Sequence, residues 1–489
     1  MAELASALDP EPRSDAYVRA VALVVLAGSV GPMLETTITS VAIGTLQEEF
    51  DTSVATIQWV SAAYLLALAM VIPLTGWLVE RFGARRTWFA ALWLFTIASV
   101  LCGAAWSTSS LIFFRVLQGL GGGLTLPLAQ TFIAQASGPQ RFGRALAFVA
   151  IPAQLAPVLG PVLGGVIIAD LGWRWIFWIN VPMELIGIAL ARRWLPESSP
   201  ATQVRLDGLG LLLLCPGLAV LLYGLSEAST PGAGSKVWLP MVAGALLVAC
   251  FIGHALRTRK DPLLDLRLFT NRTYAAATAT TFLLGLSLFG AMFLLPLYQQ
   301  RARGHGVIAA GVLLAPQGLG ALIGLLVSSR FAERVGARRV VLAALGLTLI
   351  GTAVWGMVGT SAAPSDALLE VALFFRGAGI ASAGVPAMAA AYLHLTHAAI
   401  PRATSALYSL QRLGGSVGTA ALAVILASRL STAVGAHDVS AAFGWTFRWS
   451  ILMTGLAIIP ALLLPSRRLT ENPETAEAAL AVSLPVAEV

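Results

Sequence analysis

Glu80-Arg81-Phe82-Gly83-Ala84-Arg85-Arg86 stands between two apolar runs, and about half a chain later it returns as Glu333-Arg334-Val335-Gly336-Ala337-Arg338-Arg339. Phe113-Phe114-Arg115 returns as Phe374-Phe375-Arg376 at nearly the same offset. Two independent matches in one register point to a duplicated half. Each copy of the first motif reads as a basic loop that follows a helix hairpin. The repeating unit is therefore a set of six helices, with two more inserted between the copies. Parallel repeats of this kind are an architecture of transporters that bind near the bilayer midplane.

The composition agrees. Of 489 residues, 57% are hydrophobic and 11% charged, with a mean hydropathy of +0.81. A soluble chain is about 45–50% apolar and about 25% charged, so an ordinary cytoplasmic enzyme is excluded. Cys102, Cys215 and Cys250 sit singly in apolar runs, which excludes a disulfide scaffold and suggests no metal cluster. With 25 Pro and 47 Gly inside apolar sequence, the chain reads as an all-α membrane protein.

Roughly 20 apolar residues cross a hydrocarbon core about 30 Å thick. Spans are expected near 19–44, 55–79, 87–106, 110–135, 143–169, 174–195, 207–226, 237–257, 273–299, 306–332, 338–359, 367–393, 401–427 and 445–465, about fourteen helices. The organisation expected is a tail at 1–18, a six-helix half at 19–195, two inserted helices with their loops at 196–272, a second six-helix half at 273–465 and a tail at 466–489. The first tail is not a cleavable signal peptide by its composition, and the Ala-rich end from Glu471 reads as disordered. Arginines gather on alternate loops: Arg81/Arg85/Arg86, Arg141/Arg144, Arg192/Arg193/Arg205, Arg257 to Arg272, Arg330 to Arg339, Arg402 and Arg467/Arg468. That asymmetry predicts both termini in the cytoplasm. The net charge of +7 then reflects orientation and not a nucleic-acid partner.

Few charges lie inside spans. Glu35 is about 24 Å along the first helix from its cytoplasmic edge, and Arg115 lies at about the same depth in the fourth. A lone charge at mid-membrane costs about 2.5–3.5 kcal/mol, so such residues are paired or functional. Desolvation favours the neutral carboxyl and a nearby guanidinium the carboxylate, so a motion that changes their separation would load and release a proton. A static ion pair that fixes helix packing is the plainer reading. Glu184, near mid-depth in the sixth helix, is a second candidate proton site or a satisfied structural acid. Arg376 and Arg412 lie at mid-depth in the second half, where they attract an anionic group or cap backbone carbonyls. Gln58, Trp59, Tyr64, Gln154 and Gln317 are polar and aromatic residues in apolar helices and suit a mixed ligand.

Other motifs fail their context. Gly119 to Gly123 lies within an apolar helix with no preceding strand, so dinucleotide binding is excluded and close helix packing is the reading. There is no GxxxxGK[ST], and Lys236 and Lys260 are the only lysines; ATP is not expected. His394 and His397, with no third ligand, read as solvated residues. No metal or cofactor is expected. A membrane-embedded enzyme needs acids, His or a Ser/His pair clustered at one depth, and the acids here are scattered.

The motifs resemble the major facilitator superfamily, and more narrowly its fourteen-helix drug:proton antiporters of the EmrB/QacA type. The likeness runs from about residue 20 to 465. Gly76 through Arg85 match the superfamily loop, Leu111 through Arg115 with Gln118 and Gly119 to Gly123 the helix-four motif, and Ala156, Gly160-Pro161 and Gly164-Gly165 the helix-five antiporter motif. Leu34-Glu35-Thr36-Thr37-Ile38, Ile57-Gln58-Trp59-Val60, Ile179-Asn180-Val181-Pro182 and Gly414-Gly415-Ser416-Val417-Gly418 suit the fourteen-helix branch. Glu35 and Glu80 replace the usual Asp, Ala84 a basic residue, and Glu184 a Gly.

The resemblance implies a proton-coupled exporter of amphipathic drug-like compounds by alternating access, a transporter and not an enzyme, in a bacterial cytoplasmic membrane. Its coupling residues would be Glu35, Arg115 and Glu184, with the proton as coupling ion. Its substrate would meet Glu35, Gln58, Trp59, Tyr64, Gln154, Gln317 and Arg412. Its conformational switch would comprise Gly76, Glu80, Arg81, Gly83, Arg85, Glu333, Arg334 and Gly336, with Gly160, Pro161, Gly164 and Gly165 sealing helix five. The partners implied are a small amphipathic molecule and the bilayer, with the chain acting as a monomer. The alternative is export or flipping of a lipid, siderophore or self-made antibiotic.

Overall fold

The computed structural model describes residues 15–195, 204–227, 235–258, 262–306, 312–360, 364–393, 395, 399–431 and 435–466, and among these every regular element is helical. α1 (Asp15–Ala27) and α2 (Val30–Glu49) form the first crossing. They part at Ser29, whose hydroxyl donates back to the Val25 carbonyl at 2.7 Å. A short α3 (Val54–Ile57) leads to α4 (Trp59–Val71), a 3-10 turn (Ile72–Leu74) and α5 (Thr75–Phe82). Pro73 in that turn has no amide to donate, which is why the helical ladder is interrupted there. α6 (Ala84–Gly103) follows, then α7 (Thr108–Leu171), α8 (Trp175–Trp178) and α9 (Asn180–Trp194).

α7 has 64 helical residues. At 1.5 Å per residue a straight helix of that length measures about 96 Å, some three bilayer cores. Yet Arg115 near its start bonds Glu35 of α2, and Gly160 near its end lies against Thr37 of α2. The helix therefore turns back on itself and supplies two limbs. The sequence reading put a loop between spans at 110–135 and 143–169. The backbone instead stays helical through the turn.

α10 (Gly208–Glu227) and α11 (Ser235–Arg257) come next, followed by α12 (Arg272–Arg301), α13 (Ala315–Val335), α14 (Ala337–Trp355), α15 (Asp366–Tyr392), α16 (Ile400–Leu430), α17 (Ala436–Leu456) and α18 (Ile458–Ala461). Twelve segments of the described residues are long and apolar enough to span a membrane. Of the fourteen expected, the second limb of α7 and the shorter apolar stretch Ala315–Ser328 of α13 fall outside that set.

The repeat survives in backbone geometry. Gly83 and Gly336, the pivots of the two motif copies, have φ/ψ of 86°/149° and 88°/153°. Positive φ at both strains any residue with a Cβ, so glycine is required twice. Ala84 and Ala337 then start α6 and α14 fully packed. α1–α9 pack as one group and α12–α18 as another. They meet where α7 touches α13, α15 and α16, and where α5 and the 3-10 turn touch α16. One continuous apolar core crosses that junction, from Val79, Trp88 and Phe132 to Leu325, Leu345 and Tyr392.

The inserted α10 lies against both groups. Leu222 and Leu225 pack with Ala69 of α4 and Ala420 of α16, and Leu214 and Leu218 with Ala406. α11 lies outside it and exposes Trp238, Leu239, Leu246 and Leu256, an apolar face suited to lipid.

Candidate functional site

Glu35 is fully buried on α2, and three donors converge on its carboxylate. Oε1 accepts from Arg115 Nη1 at 2.5 Å and from Thr39 Oγ1 at 2.9 Å; Oε2 accepts from Asn180 Nδ2 at 2.6 Å. Thr39 is one turn along the same helix, Arg115 is on α7 and Asn180 opens α9. The carboxylate is thus the point where three helices are tied together.

Arg115 is equally enclosed, with 1% of its surface exposed. Its Nε donates to the Val60 carbonyl at 2.8 Å and its Nη1 also to Gln118 Oε1 at 2.6 Å. The guanidinium lies 4.3 Å from the Tyr64 ring centre and 5.7 Å from that of Phe177. Gln118 is held in turn by donating to Ser99 Oγ at 2.9 Å. Tyr64 is fixed by its hydroxyl, which donates to the Pro32 carbonyl at 3.3 Å. The glycines that follow Arg115 permit this density. A Cβ on Gly122 would stand 2.9 Å from the Tyr64 oxygen, and one on Gly121 would stand 2.6 Å from the Phe95 backbone nitrogen.

A buried ion pair is expensive to desolvate, and removing one partner leaves an uncompensated charge. Here neutral groups supply further bonds: Thr39 and Asn180 to the carboxylate, and the Val60 carbonyl and Gln118 to the guanidinium. The pair is therefore stable while assembled. Its chemistry is a choice between the paired carboxylate and a neutral acid released from Arg115.

Among the described residues, the second half repeats the arginine without an acid paired to it. Arg376, 1% exposed, donates to the Ser287 carbonyl at 3.0 Å and to Gln317 Oε1 at 3.3 Å. Its Nε has no acceptor among the described residues. Where α2 and α9 meet through Glu35 and Asn180, α12 and α17 meet through the hydroxyls of Ser287 and Thr454 at 2.6 Å. The carbonyl capping expected of Arg376 is present, at Ser287.

Other expected site residues divide. Tyr64 joins the Glu35–Arg115 cluster. Arg412 stacks over Phe289 at 5.3 Å and lies within electrostatic reach of Tyr64 and Tyr408, between the halves. Gln317 is engaged by Arg376. Trp59 is not brought to this cluster: its ring stacks on Tyr223 of α10, 5.4 Å between centres. Gln58 is exposed beside it. Polar and aromatic character marked both positions in the sequence, but the neighbour that uses the indole is an inserted helix. The side chain of Gln154 lies outside the described residues. Glu184 is buried beside the cluster, with neither carboxyl oxygen bonded among the described residues.

The loop residues form a clamp between the halves. Arg402 Nη2 donates to Glu80 Oε2 at 2.6 Å, and a Cβ on Gly76 would come within 3.0 Å of Arg402 Cα. Ser405 Oγ donates to the Ile72 carbonyl at 2.6 Å, and Gln130 Nε2 to Tyr408 at 2.9 Å. These contacts lie toward the arginine-loop end. Arg85 donates to the Arg192 carbonyl at 3.0 Å, while Arg81 and Arg334 are exposed. Gly160 and Gly164 lie against Thr37 and Ile38, so this limb rests directly on the helix that carries Glu35; Gly165 makes no such contact. The side chains of Glu333 and Pro161 lie outside the described residues, as do His394 and His397. Among the described residues no three His, Cys, Asp or Glu gather as metal ligands.

Asn180, Thr39 and Gln118 were not singled out from the sequence as partners of this pair. A signal existed for each, since all are polar residues in apolar helices at the depth of Glu35 or within a turn of Arg115.

The profile of the Major Facilitator Superfamily matches residues 25–419 and, in a second alignment, 277–487. A Mycobacterium tuberculosis protein named "Multidrug resistance protein B homolog" is 38% identical over 419 residues, covering 85% of this chain and 77% of that protein. The Bacillus subtilis "Uncharacterized MFS-type transporter YhcA" is 30% identical over 408 residues, 83% of this chain and 76% of its own length. The solved proton:xylose symporter XylE superposes with a TM-score of 0.62 at 17% identity, over 93% of this chain and 98% of that one. At that identity the likeness is one of fold.

Proposed function

Because the chain belongs to the major facilitator superfamily, we propose that it is a proton-coupled antiporter that exports amphipathic drug-like compounds by alternating access. The relative named for multidrug resistance supports the direction and the substrate class. The Glu35–Arg115 pair carries the coupling: a carboxylate at mid-depth, paired and sealed from water, that turns to a neutral acid when Arg115 withdraws. The proton is the only coupling ion, and no cofactor or ATP takes part. The unit is a monomer of the bacterial cytoplasmic membrane, organised as halves 19–195 and 273–465 around the insertion 196–272. Both termini face the cytoplasm, as the arginine asymmetry requires.

In that orientation the Glu80–Arg402 clamp shuts the cytoplasmic side. Protonation of Glu35 from outside weakens its hold on Arg115, Thr39 and Asn180, loosening α2 from α7 and α9. Gly160 and Gly164 couple that loosening to the second limb of α7. Each charge moved through 100 mV is worth about 2.3 kcal/mol, or roughly a fifty-fold gradient. Exchange of one proton for one monovalent cation moves no net charge, so the pH difference alone drives it.

Arg412 favours a second reading. It is a cation between the halves, stacked on Phe289, and it would meet the anionic head of a lipid, siderophore or self-made antibiotic. Proton movement in reconstituted vesicles, on adding cationic or anionic amphiphiles, tests both. Flux that persists unchanged in Glu35→Gln would sink the coupling role of Glu35. Flux evoked by anions and not by cations would select the second reading.

A further inference from the structure

Glu184 is the buried acid that the coupling pair leaves unused. It lies one turn beyond Asn180 on α9, toward Arg192 and Arg193, hence about 6 Å nearer the arginine-loop end. Its side chain abuts α2 at Gly31, one turn before Glu35. A Cβ there would be 2.6 Å from Glu184 Oε1 and 3.3 Å from Asn180 Oδ1. The amide of Asn180 therefore faces two ways. Its nitrogen donates to Glu35 Oε2, and its oxygen shares the gap beside Gly31 with Glu184. Phe95 of α6 closes that gap, and Gly187 packs on Gly28 one turn further along. The charged and titratable groups facing this region are Glu35, Arg115, Tyr64 and Cys102, with Tyr64 also within electrostatic reach of Glu184 and Arg412.

We infer that Glu184 is a second proton carrier working in series with Glu35, with Asn180 as the residue that positions the two carboxyls. This rests on the antiport reading above. A carboxylate buried with no donor is strongly disfavoured, and Glu184 has none among the described residues. The arrangement is thus one ionised acid, Glu35, satisfied by three donors, beside one neutral acid, Glu184. The Asn180 amide lies between them, its nitrogen on the Glu35 carboxylate and its oxygen beside the Glu184 carboxyl. When a proton enters at Glu35, Glu184 gives up its own toward the arginine-loop end and later takes the proton held by Glu35. In that transfer the O–H bond on Glu35 breaks, one forms on Glu184, and the negative charge returns to Glu35 to re-engage Arg115. Glu35 is then never required to open directly to the cytoplasm.

The test uses the full-length protein and ethidium as probe. In reconstituted vesicles, Glu184→Gln should lose export driven by a pH gradient yet retain ethidium–ethidium exchange, which consumes no proton. Glu184→Gln with proton-driven export equal to wild type would overturn the inference. Infrared spectra of the resting protein give an independent readout. A protonated-carboxyl C=O band should be present in wild type, persist in Glu35→Gln and vanish in Glu184→Gln. Its persistence in Glu184→Gln, or its absence from wild type, overturns the assignment. If Glu184→Gln does not fold, Glu184→Asp should shift that band, and an unshifted band counts against Glu184. Wild-type vesicles that export ethidium with no proton movement sink the antiport reading itself, while the infrared result still decides whether Glu184 holds a proton.

Discussion

Arg402 Nη2 lies 2.6 Å from Glu80 Oε2, joining the first turn of α16 to the last turn of α5 across 322 positions of sequence. Both side chains are mostly enclosed, at 12% and 13% exposure. The pair is the charged member of a clamp whose other contacts, Ser405 to Ile72 and Gln130 to Tyr408, are neutral.

Glu80→Gln should release this clamp. Truncating one partner of a largely buried, hydrogen-bonded pair costs about 2–5 kcal/mol, enough to move a two-state equilibrium more than tenfold. Ser405→Cys, in a background with Cys250→Ser, reports on it. Labelling by a membrane-impermeant thiol reagent from the arginine-loop side should accelerate when Glu80→Gln is added. An unchanged rate would mean that the pair does not hold the halves together.

Glu35→Gln should lower stability more than Glu35→Gln combined with Arg115→Gln. The single change strands a buried guanidinium, a loss of about 3–5 kcal/mol, whereas removing both charges is much milder. Thermal unfolding of the purified variants measures the difference. Additive losses would show that the two residues do not act as a unit.

Gly121→Ala should be destabilising by about 1–3 kcal/mol, the usual cost of overpacking, because its new methyl would meet the Phe95 backbone at 2.6 Å. Gly44→Ala, at an exposed helical position with open space around it, should be neutral or gain up to about 1 kcal/mol from helix propensity. Equal melting temperatures for the two would contradict the close approach of α7 to α6.

Trp59→Ala should leave the range of exported compounds unchanged and weaken the seat of α10. An aromatic pair is worth about 0.5–1.5 kcal/mol beyond its buried area. Tyr223→Ala should therefore cost nearly the same, and the double variant little more. A narrowed substrate range in Trp59→Ala, with stability unaltered, would return the residue to the binding cavity.

Much of this was legible because the relevant signals are one-dimensional. Hydropathy locates apolar spans, twelve of the fourteen expected being long and apolar enough among the described residues, and a repeated Glu-Arg-x-Gly-Ala-Arg-Arg reports duplication without reference to packing. Depth along a helix of known rise was enough to set Glu35 against Arg115. Depth does not say which faces of neighbouring helices meet. Asn180 is 145 positions from Glu35, and nothing local to Ile179-Asn180-Val181 announces that its amide turns toward α2. Trp59 shows the same limit in reverse: an aromatic in an apolar helix is conspicuous whether it faces a ligand, lipid or, as its ring does here, an inserted helix. The span boundaries place a loop between residues 135 and 143, yet α7 carries its helical ladder through that region. Residue type suggests where a turn is easy and leaves its form to the packing.

α10 is gripped on one side by α4 and on the other by α16. A strut fastened to two bodies cannot travel with both when they separate. Either the indole of Trp59 slides on Tyr223, or Leu222 and Leu225 slide on Ala420, and the contact that yields decides which half carries the hairpin. The molecule is thereby given a handed flank. A transporter of two like halves has two equivalent seams facing lipid, and here one of them is roofed by a helix; under the alternating access proposed above, that helix would have to shift with each stroke.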